Sequence, residues 1–448
     1  MSDEQNSPVN SSPEGPAPAQ PSPPSAPPQK DKKEAGKVLM QEITPDLSAA
    51  SRRRRIFQTL VIPLLAILTG LILGAFFIVL TSTEFYAALK VSFWQGIKTA
   101  VEIVATTYGA WLKGMFGDPS NLVLFFETGD ISYLRQFFYP ISEGLTTSTP
   151  YIFGGLSVAL AFRAGMFNIG AEGQIFLGAI FAAYVGYSVT GLPWFIHLPL
   201  AFLAGALGGF LWGFIPGFLK ARTGAHEVIT TIMLNYSASR LAEWLLNGPM
   251  KRPGSTNPIS PFMEDAARLP RLFADPLRLH WGFFVALGMA YLVYWFLWKT
   301  KWGFDFRAVG SNPNASRYAG MKVAVVMTLS MGFAGALAGM AGGNEVLGVS
   351  YTLTPGFSSG YGFDSIAIAL LGGTHPFGVV LAALLFGFMR SGATSMMLAT
   401  GIPIDIVSIL QALILAFVAA PAIIRTIYRL KGAEGVKGAT LVGGWGGK

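Results

Sequence analysis

The chain is predicted to be all-α, a polytopic transmembrane helical bundle of about ten spans, some of them short or broken. Three observations predict it. Hydrophobic residues make up 52% of the 448 and charged residues only 12%, where a soluble domain carries about a quarter charged. Uncharged apolar runs recur that are long enough for a hydrocarbon core, which takes about 20 residues per helix. Lysine and arginine stand beside those runs and not in a stripe with interleaved aromatics, so the net charge of +8 marks membrane orientation, not a nucleic-acid groove. The absence of cysteine excludes disulfides, thiolate metal sites and cysteine nucleophiles.

Taken in order, residues 1–51 form a tail with nine prolines in its first thirty positions and almost nothing large and apolar to bury; disorder is expected there. Residues 52–430 form the membrane domain, and 431–448 a glycine-rich tail. Arg52, Arg53, Arg54 and Arg55 precede an uncharged run over 56–80, which reads as a retained anchor with the N-terminus in the cytoplasm. Next, Leu89, Phe93, Ile97, Ala100 and Val104 recur at helical spacing, with Lys90, Lys98 and Glu102 largely off that row. The pattern suits either a helix lying in the interface or a partly buried packing helix.

Further spans are predicted over 145–162, 174–190, 195–219, 228–246, 281–298 and 323–341. Three shorter or broken ones follow, over 361–373, 377–389 with its continuation, and 404–424. The even count returns the C-terminus to the cytoplasm, where Arg425, Arg429, Lys431 and Lys437 stand. The loops over 220–226 and 299–322 fall inside by the same count and are also basic. The outside loop over 247–280 carries five lysines or arginines against the trend, although long loops follow the rule less strictly.

Within the spans, Gly205, Gly209, Gly213 and Gly217 recur every fourth residue, as do Gly335, Gly339 and Gly343, and Gly70 with Gly74. Such grooves let helices pack closely where lipid supplies no hydrophobic drive, and internal packing is their expected role. Irregular backbone at membrane depth has to be buried in protein or line a wet cavity. Two stretches qualify: 167–174, and 344–354 together with 372–376. Polar residues on spans are the other clue to a pathway, namely Asn235, Arg240, Glu243, Asp364, Arg390 and Asp405. Each has a plainer role open to it. Asp405 sits in a first helical turn, Arg390 can snorkel from a helix end, and Arg240 and Glu243 are spaced to pair.

A path for a neutral, hydrogen-bonding solute needs aromatic faces and amide or hydroxyl groups, and Asn235, Asn344, Tyr351 and Phe357 supply them. His197 and His375 lack ligand-spaced partners and no His-Glu-x-x-His occurs, so no metal site is expected. A Gly-x-x-x-x-Gly-Lys-Ser/Thr phosphate loop is also missing. ATP is therefore not expected on this chain.

The loop over 299–322 contains the makings of a short helix: Asn312 to cap it, Pro313 for its first position and Gly320 to end it. Two turns alone are marginal in water, so a docking partner is expected. Arg307-Ala-Val-Gly310, Asn312-Pro313 and Arg317-Tyr-Ala-Gly320 resemble the coupling segment of permeases in the ribose and branched-chain amino acid branch of ABC importers. The stretch over 149–178, with Thr-Pro-Tyr-Ile-Phe-Gly-Gly-Leu-Ser and Phe162-Arg-Ala-Gly-Met-Phe-Asn-Ile-Gly-Ala-Glu-Gly-Gln174, resembles the nucleoside-type permeases of that branch.

That resemblance covers about residues 52–430. It implies a multi-pass permease subunit of the bacterial inner membrane, without catalytic residues, working with a second permease chain, an extracytoplasmic solute-binding lipoprotein and a separate ATPase that holds the ATP and Mg. By the same resemblance, Arg307, Gly310, Asn312, Pro313, Arg317 and Tyr318 carry coupling to the ATPase. Asn168, Glu172 and Gln174 belong to a signature near the translocation path, to which Asn235, Asn344, Tyr351 and Asp364 are added. Glu172 is equally placed to stabilise a helix start. A nucleoside is the expected solute and a ribose-like sugar the alternative. An ion-gradient carrier using Asp364, Arg390 and Asp405 stays open; an intramembrane enzyme lacks paired carboxylates, a metal cluster or a nucleophile with its base.

Overall fold

A computed structural model describes residues 49–429. The tails expected over 1–51 and 431–448 lie outside them, apart from 49–51. The chain divides into two compact units, Met1–Val61 and Ile62–Lys448. Of the first, only the opening turns of one helix are described; the packing below belongs to the second.

Among the described residues the fold is helical, with a single isolated β-bridge between Arg271 and His280. The helices are α1 (Ala49–Thr81), α2 (Thr83–Val91), α3 (Phe93–Phe116), α4 (Pro119–Thr128), α5 (Ile131–Arg163), α6 (Ala171–Ser188), α7 (Trp194–Thr223) and α8 (Glu227–Asn247). There follow α9 (Gly282–Lys299), α10 (Lys301–Ser311), α11 (Pro313–Tyr318), α12 (Val323–Asn344), α13 (Tyr361–Leu371), α14 (Pro376–Thr400), α15 (Asp405–Ala419) and α16 (Pro421–Ile427). Six of them, α1, α5, α7, α9, α12 and α14, are long and apolar enough to cross a membrane, and α13 and α15 are shorter apolar helices. With α6 and α8 these make up the ten predicted spans. The last prediction, 404–424, is divided at Ala420 into α15 and α16.

Burial ranks the helices. The most apolar stretch of α5 is 83% buried inside the protein against 28% for α1, so α5 is the central post and α1 a peripheral one. At 33 residues α5 is about 50 Å long, well beyond the roughly 30 Å of a hydrocarbon core. Pro140 and Pro150 lie inside it. Thr146, Ser148 and Thr149 turn their hydroxyls back to the carbonyls of Ser142, Gly144 and Leu145 at 2.6–3.0 Å, which satisfies polar groups that lipid cannot.

The glycine grooves pack helices, as expected. A Cβ built on Gly209 would lie 2.7 Å from both Gly339 N and Cα and closer still to the Gly335 carbonyl, and one on Gly335 would strike Gly209. Gly213 and Gly217 meet α12 in the same way and a Cβ on Gly339 would strike the Gly205 carbonyl, so α7 and α12 touch backbone to backbone, while a Cβ on Gly205 itself would meet Gly178 of α6 first. Gly343 differs, since a Cβ there meets nothing nearer than 3.5 Å. Gly70 and Gly74 receive Ile414 and Leu410 of α15.

The segment between the first two spans holds a packing helix, one of the two roles its pattern suits, on a different face from the apolar row. Leu89, Phe93 and Ile97 are exposed, and the buried face of α3 is Gly96, Ile103, Thr107, Trp111 and Gly114. That face lies on α14, with Trp111 Nε1 donating to the Met389 carbonyl at 2.9 Å and Gly114 against Ser395. Packing selects the row with glycines, because a close helix contact needs small residues more than an unbroken apolar stripe.

The loop over 248–281, expected on the outside, folds back on the end of α12, where a five-residue π-helix (Glu345–Val349) replaces the α-helix. Ser260 N, Met263 N and Leu269 N donate to the carbonyls of Leu353, Tyr351 and Leu347. These contacts also account for the basic residues that break the charge trend. Arg252 stacks on Phe262, Arg268 and Arg271 on Tyr351, and Arg278 pairs with Glu143. Four of the five are committed to structure.

Candidate functional site: a polar seam and a basic knob

Two places gather chemistry that a lipid-embedded bundle does not need for packing. The first runs along the inner faces of α5, α13 and α14. Tyr151 Oη donates to Asp364 Oδ2 at 2.7 Å, and Arg390 NH1 donates to both Tyr151 Oη at 3.1 Å and Asp364 Oδ2 at 3.3 Å. Its NH2 donates to the Ser359 carbonyl at 3.1 Å, while the guanidinium lies 5.6 Å from the centre of the Tyr361 ring. The Tyr361 ring in turn meets Tyr151 edge-on at 5.0 Å. Asp364 and Arg390 each keep 32% of their side-chain surface exposed. A charged pair at that depth cannot face hydrocarbon without a large penalty, so its open side faces water or another protein.

Arg390 does not snorkel. It sits in the body of α14 because Asp364, in the first turn of α13, offers a carboxylate that the helix dipole also favours. Arg240 and Glu243 do pair with each other, at 2.6 Å on the exposed face of α8.

The 167–174 signature is a lock at the start of α6. The amides of Asn168 and Gln174 bond reciprocally at 2.9 and 3.1 Å, and Asn168 Oδ1 also accepts from Gly170 N. Asn235 reaches across from α8, accepting from Gly173 N at 2.8 Å and donating to the Ile169 carbonyl at 3.0 Å. These three amides are buried and engaged with protein. Glu172 performs the capping role open to it, though for another helix: its Oε2 accepts from Gly362 N at 2.7 Å in the first turn of α13. The lock therefore fixes the helix that carries Asp364.

Tyr351 and Asn344 lie where the 248–281 loop meets the end of α12. Tyr351, at φ 53°, accepts a hydrogen bond from Arg271 Nε at 3.2 Å. Asn344 is fully buried and neither amide atom has a partner, nor does Nε2 of the adjacent buried His280. His280 Nδ1 accepts from Gly282 N, which leaves the proton on Nε2. Burial first, then the charges of Arg271 and Arg278, lower its pKa to about 4, so the ring is neutral. Bidentate pairing with Glu143 raises the pKa of Arg278 further.

The second place is the knob formed by α10 and α11. Asn312 caps α11, accepting from Ala315 N at 3.0 Å; Pro313 opens the helix and Gly320 takes φ 81° after it. Its residues are exposed except Ser316, and Tyr318 is 95% exposed. The six residues expected to couple divide into two sets. Asn312, Pro313, Arg317 and Tyr318 stand free on the knob. Arg307 and Gly310 face the bundle: Arg307 donates to the Leu297 carbonyl at 3.0 Å, and Gly310 lies so close to Arg163 and Gly165 that no side chain fits.

Sequence reasoning missed Tyr151, Tyr361, Glu143 and Arg278. Tyr151 follows Pro150 within a quoted motif, but no spacing rule links it to positions 364 and 390. No group of three or more His, Cys, Asp or Glu among the described residues could hold a metal ion.

The fold and the two places define a multi-pass helical membrane protein with a polar seam inside and a protruding knob at one end. The family description "Branched-chain amino acid transport system / permease component" matches residues 140–419. The guanosine ABC transporter permease protein NupP of Bacillus subtilis is 39% identical over 377 residues, 82% of this chain and 95% of that protein. A glucose ABC transporter permease protein of Haloferax volcanii is 38% identical over 323 residues, 69% of this chain and 82% of its own length. The nucleoside ABC transporter permease protein NupB of Lactococcus lactis is 36% identical over 342 residues, 74% and 93% of the two chains. No solved structure matches. The chain belongs to the branched-chain amino acid transport system permease family and is a membrane permease subunit of the ABC transporter type.

Proposed function

We propose that the chain forms one side of the translocation path of an ATP-driven importer for nucleosides. One observation carries the reading: Tyr151, Tyr361, Asp364 and Arg390 assemble a carboxylate, a guanidinium plane and two phenols inside a helical bundle, with a third of the ion pair open. A nucleoside is neutral and offers ribose hydroxyls to the carboxylate and an aromatic base to the planar groups. Stacking of a base on an aromatic ring is worth about 1–3 kcal/mol. When Arg390 parts from Asp364, the carboxylate and the ring of Tyr361 become available together. The guanosine and nucleoside permeases among the relatives support this solute class. Of the residues expected on the path, Asp364 is assigned to it directly. Asn168, Glu172, Gln174 and Asn235 hold its wall, and Asn344 and Tyr351 belong to its outer end.

The open side of the pair calls for a covering subunit, which we take to be a second permease chain. The free knob residues Asn312, Pro313, Arg317 and Tyr318 dock a separate ATPase that binds the ATP and Mg, and a solute-binding lipoprotein delivers from outside. The basic loops support N- and C-termini on the cytoplasmic side of a bacterial inner membrane. A simple sugar is the second reading, favoured by the glucose permease relative; the family match displaces an ion-coupled carrier.

The test is uptake by the complete transporter in proteoliposomes, with guanosine as probe and other nucleosides, free bases, ribose and glucose as competitors. ATP-dependent guanosine uptake, displaced by nucleosides and indifferent to glucose, is the expected outcome. Uptake of glucose or ribose that no nucleoside displaces would refute the solute class.

A further inference from the structure

We infer that Arg163 is a positioning residue that links the knob to the Asp364–Arg390 pair, so that movement of α10 is passed to the break between α13 and α14. The inference rests on the reading of that pair as part of the path. Arg163 is the last residue of α5, and its guanidinium is engaged on two sides. Towards the path, Nε donates to the Thr374 carbonyl at 3.0 Å and NH2 to the Gly373 carbonyl at 3.3 Å. Those residues form the turn between α13 and α14. Gly373 and Thr374 both adopt left-handed backbone, at φ 61° and 53°. For a β-branched threonine that conformation is unfavourable and persists only where its surroundings hold it. The Arg163 clamp on two successive carbonyls is such a hold.

Towards the knob, the same guanidinium lies 5.3 Å from the centre of the Trp298 ring, and Arg307 of α10 lies 5.8 Å from it. Trp298 also packs against His375, at 5.0 Å between ring centres, directly after the turn. A second contact runs in parallel. A Cβ on Gly310 would lie 2.8 Å from Gly165 N, so the end of α10 rests on the backbone that follows Arg163. Two successive residues in left-handed backbone, clamped from one side, make a turn with a released alternative, which is what transmission between sites requires. Downstream of that turn, α13 carries Asp364 and α14 carries Arg390, so a change in the angle of either helix opens or closes the pair.

The chain has no cysteine, so a single reporter thiol is its only labelling site once its band is separated from those of the other subunits. Ser359, whose carbonyl accepts from Arg390, is exposed. In the complete transporter carrying Ser359→Cys, the maleimide labelling rate is measured without nucleotide and with a non-hydrolysable ATP analogue. The two rates are expected to differ by about fivefold or more, the lower end of ordinary coupling between sites. Arg163→Lys keeps the charge but cannot clamp both carbonyls or stack as a plane, and is expected to bring the ratio below about twofold. Trp298→Phe weakens the same link from the other side, keeps an apolar ring in place, and is expected to fall between. Uptake is expected to drop with the ratio while ATP hydrolysis continues. A nucleotide-dependent ratio that survives both substitutions overturns the link and leaves the path reading standing. A ratio near one in the unsubstituted background overturns the path reading itself.

Discussion

Substituting Gly209 by alanine tests whether the α7–α12 seam fixes the bundle. The new methyl would lie 2.7 Å from Gly339 N and Cα, where ordinary contacts begin at 3.4 Å. The helices therefore have to separate by more than about 0.7 Å, because the Gly335 carbonyl lies closer still and the opposing atoms are backbone and cannot rotate aside. Overpacking of this kind costs about 1–3 kcal/mol, and the better helix propensity of alanine returns up to about 1 kcal/mol. A net loss of about 1–2 kcal/mol remains, equivalent to several degrees in a small domain and somewhat less here. Gly288→Ala is the control, since it is also helical, on α9, and a Cβ there meets nothing within 4 Å. Apparent melting midpoints of the detergent-solubilised protein, all taken at one scan rate so that any irreversible step affects each variant alike, give the comparison. Gly209→Ala should melt below the parent and Gly288→Ala at or above it. Equal midpoints would refute the claim that backbone contact along this seam holds the two helices.

Three further outcomes are expected. Arg390→Met leaves Asp364 without its counter-ion, held by the Tyr151 hydroxyl alone, and should cost about 1–2 kcal/mol, discounted from a fully buried pair because a third of each side chain is exposed, whereas Arg390→Met with Asp364→Asn should melt nearer the parent. Uptake should be lost in both; a double variant that melts lowest would contradict the pairing. On the knob, Tyr318→Ala should leave the melting midpoint unchanged yet abolish copurification of the ATPase, while Asn312→Ala should also lose about 1 kcal/mol of local helix stability through its cap. A midpoint lowered by several degrees in Tyr318→Ala would show that the ring is not a free docking group. For His280, the folded pKa of about 4 lies below the ordinary 6.5; the unfolded chain takes up its proton first as pH falls. Stability should be level above about pH 6.5, decline by up to about 3 kcal/mol towards pH 4 and level off below it, and His280→Gln should remove that share of the slope. An unchanged slope in the variant would show that the ring is not held neutral.

The helices were legible because the signals that specify them are local. The capping of α11 by Asn312, the proline after it and the glycine at its end follow from chemistry within eight residues, and each holds. The glycines of α7 are also local, and the requirement for small residues at a lipid-independent seam supplied their role before their partners were known. Sequence could not show which face of α3 turns inward. Its apolar row and its small-residue row are offset by little, and only the presence of α14, nearly three hundred residues further on, decides between them.

The polar residues were harder for a related reason. At membrane depth a polar side chain is interpretable only through its partner, since one residue type serves a lock, a cap or a path according to what faces it. Asn168, Gln174 and Asn235 look like path residues singly, yet their hydrogen bonds are spent on the turn that begins α6. Glu172 caps a helix that starts 190 residues later in the chain. Arg390 and Asp364 are 26 residues apart, and Tyr151 lies 213 residues before Asp364. The lock and the seam meet at the first turn of α13, where Gly362 N binds Glu172 and, two residues on, Asp364 binds Arg390. Gly362 has to be glycine there, since a Cβ would strike the backbone of Glu172. With α13 held at its start by Glu172 and at its end by the Arg163 clamp, the Asp364–Arg390 contact is a charged contact between the two helices that keeps an exposed side. On the proposed reading of the pair as part of the path, a polar solute would enter there without any backbone amide being surrendered to lipid.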